Sequence, residues 1–415
     1  MSKFSGFYKK TIEERMGILK EEKGVTDEEA KILLDSGSLG LDTANRMIEN
    51  VIGVNHLPIG IAPGFMINGK EYEVPMCIEE PSVVAAAANG AKLAAKSGGF
   101  TADADEPIMV GQAQLVGIED GALGRFEQAK AEISVMAKEL CAGIEQYGGG
   151  FREVRARELE TGRGKMLLVE FDVDVRDIMG ANTINTLLEG IAPLLVERIG
   201  GKSRLRILTN LATKRKARAK CVWKKEVLGE ETIEAILDGY ELAKNDIYRC
   251  ATHNKGIMNG VDAVAVATGN DWRAVEAGIH SFASMGGYKP LNKYYKDGEG
   301  NLIGEIELPL AVGTVGGAIW TNPIAQISLK ILGAKTAREL SMVMAAVGLA
   351  QNFAALRALG TEGIQKGHMK LHASNLAVVA GASGDEIEKV AAMLIQEGRY
   401  TAEAAKKALA QLRGE

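Results

Sequence analysis

Hydrophobic and polar positions along this chain fall into blocks of two periods, separated by turn residues. Residues 11–50 space their apolar side chains helically between glycines, which predicts short amphipathic helices. The segment 53–80, "GVNHLPIGIAPGFMINGKEYEVPMCIEE", reads as strand and breaks at Asn68-Gly69. That pair favours a two-residue hairpin turn because both residues tolerate positive φ. From Pro81 to Lys96 an alanine-rich run predicts a helix, with Pro81 at its first position and Gly98-Gly99 beyond its end.

Between 108 and 222 the periods change in a definite order. "IMVGQAQLVGI" predicts a strand, and 124–147 a helix closed by Gly148-Gly149-Gly150. "FREVRARELE" and "GKMLLVEFDVDV" alternate across a Thr161-Gly162-Arg163-Gly164 turn. "TINTLLEGIAPLLVERI" predicts a second helix and "SRLRILTNL" a last strand. This β-α-β-β-α-β order is the split βαβ of a ferredoxin-like sandwich, inserted into a larger unit. From 230 the pattern gives a helix, a polar loop holding "ATHNKGIMNG" (251–260), a buried strand "VDAVAVAT", and a helix over 271–285. A hairpin at "KDGEGN", a strand "IGEIELPLAVGTVGG" and helices to about 360 follow, then a helical tail capped at Ser383/Asp385. The expected fold class is α+β: a large mixed α/β domain of 1–107 and 219–364, an inserted ferredoxin-like domain at 108–218, and a helical C-terminal piece, 365–415. Gly363, Gly367 and Gly381 flank "HMKLHASNLAVVA" and would let that piece hinge.

Composition narrows the partners. A length of 415 residues suits two or three domains, and a net charge of −5 gives no reason to expect nucleic acid or an anionic membrane. Cys77, Cys141, Cys221 and Cys250 are widely spaced without a CxxC pair, which points to free thiols in a reducing compartment. The charged N-terminus has no apolar signal core, and no uninterrupted apolar window is long enough to span a bilayer, so a cytoplasmic protein is expected.

Candidate chemistry is scattered. No GxGxxG follows a strand, which argues against a Rossmann site. "DVRDIMGANTIN" (174–185) offers another phosphate cradle: Gly180 permits close backbone approach, and the next helix presents free N–H groups and its positive end. The same residues equally describe a capped helix after a strand. Glu80, before Pro81, is either a helix-dipole acid or, if buried, a general acid. Asn270 or Asp271 suits an N-cap. Lys255 lies among Thr252, His253, Asn254 and Asn259, donors for a polar pocket, or is an ordinary solvated lysine. His368 and His372 have helical metal spacing but neither HExxH nor a third ligand, so no metal is expected. The basic run "KRKARAK" (214–220) is a solvated face or a phosphate contact.

Six motifs occur in one order: "ENVIG" (49–53), "EEPSVVAAA" (79–87), "DIMGAN" (177–182), "THNKGIMNG" (252–260), "GNDWRAVEAG" (269–278) and "GHMKLH" (367–372). Together, over about residues 41–385, they resemble the soluble, prokaryotic second class of 3-hydroxy-3-methylglutaryl-CoA reductases. The resemblance implies four-electron reduction of the HMG-CoA thioester to mevalonate and CoA by two NAD(P)H, or its reverse. It implies that Lys255 polarises the carbonyl, that Asp271 lies beside Lys255, that Glu80 donates a proton to the aldehyde, and that His368, on the flap, protonates the CoA thiolate. Ser82, Arg249 and Asn259 match substrate-binding positions. The large domain would then bind substrate and CoA. The inserted one would bind the nicotinamide cofactor through Asp177, Met179, Gly180, Ala181 and Asn182. "ENVIG" implies a homodimer with active sites at the subunit interface. Relatives preferring NADH carry a ribose-binding aspartate where this chain has Cys141. With Lys138, Arg152 and the 214–220 run as candidate phosphate partners, that favours NADPH over NADH. The alternatives are another CoA-thioester or aldehyde oxidoreductase on the same scaffold, or a non-catalytic CoA- or nucleotide-binding protein.

Overall fold

The computed structural model describes residues 3–35, 39–361 and 363–414, with backbone alone at 364–371. Three helices open the chain, α1 Ile12–Lys23, α2 Asp27–Leu34 and α3 Leu41–Met47, the first two started by capping boxes from Thr11 and Thr26. Strands β1 Ile59–Ile67 and β2 Lys70–Cys77 form the expected hairpin, and Asn68 and Gly69 both take positive φ. Helix α4, Val83–Ala95, begins two residues later than the sequence suggested. Pro81 lies outside it, because Ser82 adopts a left-handed conformation (φ 72°) and turns the chain into the first helical residue. Strand β3 is Phe100–Ala104.

The second unit follows as β4 Ile108–Val116, α5 Ala122–Leu140, the single turn α6 Ala142–Glu145, β5 Gly150–Thr161, β6 Gly164–Asp174, α7 Ala181–Ile199 and β7 Lys202–Leu208. Its four strands run in the order β5-β6-β4-β7, all antiparallel. Phe126 and Ile133 of α5 and Ile184 and Leu188 of α7 pack with Phe171 in one core. The helix expected over 124–147 is interrupted at Cys141, whose own backbone leaves the helical region.

The chain rejoins the first sheet at β8, Lys216–Trp223, before the boundary expected at 219. Then come α8 Lys225–Leu228, α9 Glu230–Asn245, α10 Ile247–Ala267, α11 Trp272–Ser284, β9 Asn292–Lys296, β10 Leu302–Pro309, α12 Ala318–Thr321, α13 Pro323–Leu332 and α14 Ala337–Gly360. This six-stranded sheet has the order β2-β1-β3-β8-β10-β9, with only β1 and β3 parallel. Among the described residues α14 alone has the length and apolar composition of a membrane span, and it is mostly buried inside the protein. Its Phe353 stacks on Trp223 with ring centroids 4.0 Å apart. The tail forms α15 Ile364–Val379, α16 Asp385–Glu397 and α17 Ala402–Arg413 around a small core of its own, including Val390, Leu394 and Leu409. Gly384, not Ser383 or Asp385, is the N-cap of α16.

The largest departure from the sequence reading is α10. The polar loop at 251–260 and the strand at 261–268 are one continuous helix of 21 residues. Val261, Ala263, Val264, Ala265 and Ala267 are all buried. Within 261–267 Asp262 is the single polar residue, and a run so nearly apolar carries almost no period by which to tell helix from strand.

Candidate active site

Helix α10 sets the geometry. Asp246 caps its start by accepting from the Arg249 amide at 2.6 Å. Lys255 and Asn259, four residues apart, share one face of it. Lys255 Nζ donates to Glu80 Oε2 at 2.7 Å, and Glu80 lies in the turn between β2 and α4. Both side chains are substantially exposed, 57% and 38%. Exposed ion pairs contribute only about 0–1 kcal/mol, so this one does little for the fold. It does put an ammonium and a carboxylate together at an accessible surface.

The structure does not bring Asp271 to Lys255. Asp271 is the N-cap of α11; its Oδ1 accepts from the Arg273 and Ala274 amides at 3.1 and 3.2 Å. Both its oxygens also pair with the Arg273 guanidinium at 3.0 Å. Lys255 lies in the first half of α10, and Asp271 follows its end. At about 1.5 Å per residue, the twelve residues from Lys255 to Ala267 carry the chain about 18 Å along the axis before it turns into α11.

The other donors around Lys255 divide. Thr252 is exposed, but His253 and Asn254 face inward. His253 Nε2 meets Asn292 Oδ1 at 2.6 Å, and Asn292 and Tyr294 both donate to Asn352 Oδ1. Burial holds the His253 pKa down to about 4. Asn254 donates to the Lys289 carbonyl. Neither can serve a pocket at Lys255. Arg249 is partly buried, burial lowers its pKa, and no described carboxylate forms an ion pair with it. A guanidinium in that state suits an incoming carboxylate. Ser82 is half-buried.

At the other end of α10 lies the 174–182 segment. Gly180, at φ 105°, is the N-cap of the 19-residue α7 and supplies no side-chain cap. Asn182 is exposed and does not cap, contrary to one sequence reading. The first amides of α7 therefore remain available to an anion, which fits a cofactor pyrophosphate. The Asp177 carboxylate is already taken: it accepts from the Ala337 amide that begins α14. Met179 and Ala181 are half-exposed beside Gly180. Cys141 is 1% exposed within the second core, and burial raises its thiol pKa to about 11. It presents nothing to a ribose.

The basic run also changes meaning. Lys216 and Arg218 pair with Glu307, Arg218 also with Asp103 and Asp105, Lys220 with Glu305, and Lys214 with Asp172. These cations are matched to carboxylates, mostly on neighbouring strands, and are not free for a 2′-phosphate. Arg152 pairs with the buried Asp174. His368 lies on α15, where its side chain is outside the described residues. His372, one turn on, sits 6.5 Å from the Tyr400 ring. Among the described residues no three His, Cys, Asp or Glu side chains converge as metal ligands.

Two groups have roles the sequence did not show, one inside the basic run and one weighed only as an N-cap. Arg215 is 3% exposed, and Asn270 bonds through its side-chain amide to Gly313. Strand parity signals the first: Ala217, Ala219, Cys221 and Trp223 of β8 face inward, and Arg215 is in phase with them.

The family model for hydroxymethylglutaryl-coenzyme A reductase matches residues 11–373. A 3-hydroxy-3-methylglutaryl-coenzyme A reductase from Archaeoglobus fulgidus is 54% identical over 415 residues, 99% of this chain and 95% of that protein. A probable reductase of the same name from Borreliella burgdorferi is 39% identical over 80% of this chain and 77% of its own. Among solved structures, the class II reductase of Streptococcus pneumoniae bound to NADPH in open conformations is 40% identical, with a TM-score of 0.81 over 97% of this chain and all of that one. Another structure of the Streptococcus pneumoniae reductase gives 0.83 over 99% of both chains.

Proposed function

The chain belongs to the hydroxymethylglutaryl-coenzyme A reductase family, and we propose here which residues carry the reaction, with which cofactor and across which surface. The activity is that of an oxidoreductase interconverting HMG-CoA with mevalonate and free CoA.

Lys255 holds the thioester carbonyl oxygen and the oxyanion that develops on it; a fixed cation at that oxygen is stronger in the transition state than in the ground state. Glu80, 2.7 Å from Lys255 Nζ, is placed to pass a proton to the aldehyde oxygen held by the same cation. Arg249 takes the HMG carboxylate, and Asn259 and Ser82 line the same approach. When bound, the nicotinamide cofactor supplies the hydrides. Gly180, Ala181 and Met179 hold its pyrophosphate at the α7 N-terminus, while Asp177 fixes that loop to α14. His368, on α15, protonates the leaving CoA thiolate.

Asp271 joins this set only from a second copy of the chain. The separation along α10 supports that reading, as does the exposed apolar stretch preceding β1, where Ile48 is 65% and Ile52 fully exposed. The working unit is then a homodimer with each site shared. NADPH is the preferred cofactor: a 40% identical relative is described bound to it, Cys141 offers no carboxylate to an adenosine ribose, and Lys138 is exposed in the last turn of α5.

The Lys255–Glu80 contact is the observation that carries this assignment. Steady-state reduction of HMG-CoA with NADPH and NADH side by side tests it. Turnover with NADPH is expected to exceed that with NADH; the reverse order would refute the cofactor assignment, and no turnover with either would refute the whole reading. For His368→Gln, loss of HMG-CoA reduction with mevaldehyde reduction spared is expected. Equal loss of both would remove His368 from the thiolate step.

A further inference from the structure

The buried Arg215 lies where the two sheets meet, one residue before β8. Its Nη1 donates to the carbonyls of Ile178 and Met179, at 3.2 and 3.1 Å, and its Nη2 to the carbonyl of Val312. The first two oxygens belong to the cofactor loop. The third belongs to the segment after β10, which leads through Gly313 to Asn270. Asn270 closes a two-way amide bond with Gly313: the Gly313 amide donates to Oδ1 at 2.7 Å, and Nδ2 returns to the Gly313 carbonyl at 3.1 Å. Asn270 immediately precedes Asp271.

The three segments lie flat on one another. A Cβ on Gly313 would stand 2.8 Å from both the Asp177 oxygen and the Met179 nitrogen, so no side chain fits there. The Thr314 amide donates to the Asp177 carbonyl at 2.8 Å from the same strip. Arg215 closes the stack from beneath with a planar fork that reaches both loops at once, which a lysine ammonium does not reproduce. No carboxylate is hydrogen-bonded to the guanidinium among the described residues, although Asp174 and Asp177 lie near enough to favour its charge. Burial lowers its pKa only to about 10, so it stays cationic at neutral pH.

We propose that Arg215 is a positioning residue that fixes the cofactor-binding loop at Ile178–Met179 and, through Val312, Gly313 and Asn270, the placement of Asp271. This rests on the assignment of the 177–182 segment to the cofactor. Arg215 touches neither substrate nor cofactor; it holds the loop assigned to the pyrophosphate and the backbone just before Asp271, which is not among the residues assigned to HMG-CoA binding.

Binding titrations on the free enzyme test this without turnover. The dissociation constants of NADPH and of HMG-CoA are measured separately by calorimetry for wild type, Arg215→Lys and Gly313→Ala, with circular dichroism to establish folding. For Arg215→Lys the NADPH constant is expected to rise about tenfold or more, with HMG-CoA within about twofold of wild type. Gly313→Ala, which separates the layers without touching a charge, is expected to shift NADPH in the same sense and carries the test if Arg215→Lys does not fold. An unchanged NADPH constant in a folded variant would overturn the proposal. So would equal weakening of both ligands, which would mean general damage. Wild type that binds HMG-CoA but no nicotinamide nucleotide would instead fail at the cofactor assignment, a result distinct from either.

Discussion

The two ends of α10 are built differently. At the Lys255 end side chains meet across a gap: Lys255 and Glu80 come from segments 175 residues apart, and both are open to solvent. At the Ala267 end it is carried by backbone. Arg215, Asn270 and Gly313 lock carbonyls and amides together, and Asp271 is held by its own helix start and by Arg273. The open end leaves its charged groups able to change partners. The locked end can only present what it holds. A reaction needing one group that follows the substrate and another that stays fixed is well served by that division.

The contrast can be broken in several ways. Lys255→Ala should lower kcat by about 10²–10³-fold, the usual cost of a lost oxyanion donor, with the circular dichroism spectrum unchanged. Near-normal turnover would mean that the open end is not where the thioester is held. Mixing Lys255→Ala with Asp271→Ala protein, each inactive alone, should restore about a quarter of wild-type activity once subunits exchange. Half the dimers are then mixed, and each has one intact pair. A mixture that stays inactive would place both groups within one protomer.

The inner side of the open end is tested by acid. His253 has its folded pKa held at about 4 against an ordinary 6.5. Its neutral form therefore contributes stability that is full above about 6.5 and is lost as pH falls towards 4, about 3 kcal/mol in all. His253→Gln should flatten the melting temperature across that window; an unaltered slope would show that another group controls it. The smallest effect concerns the locked end. Arg273 is 74% exposed, so Arg273→Ala should change stability by no more than about 0.5 kcal/mol despite its two-pronged contact. A larger loss would show that Asp271 depends on that guanidinium more than on its helix.

The second sheet was legible in the sequence because its strands alternate and its turns are marked by glycine, so period and punctuation agreed. The Asn68-Gly69 hairpin was legible for the same reason. Helix α10 was not, since Val261–Ala267 holds a single polar residue, Asp262, and so near-complete an apolar run carries almost no period. The juxtaposition of Asp271 with Lys255 came from the resemblance, and within one chain the length of α10 lies between them. The motifs named candidate groups without fixing their partners: Glu80 stands beside Lys255, where Asp271 was expected. Arg215 was hidden in a basic run whose other members are matched to carboxylates, and only its parity with Ala217 and Ala219 marks it as inward. Cys141 sits in a core, a depth that position along a helix does not reveal.

The three tryptophans divide along the same line. Trp223 lies fully buried on Phe353, while Trp272, next to Asp271, is 49% exposed and Trp320 71%. Indole emission shifts to longer wavelength in contact with water, so the light from Trp223 comes out blue and that from the other two already red. Denaturation moves only the blue component. A second copy covering Asp271 would move Trp272 the opposite way, so unfolding and assembly carry opposite optical signs in one unlabelled chain.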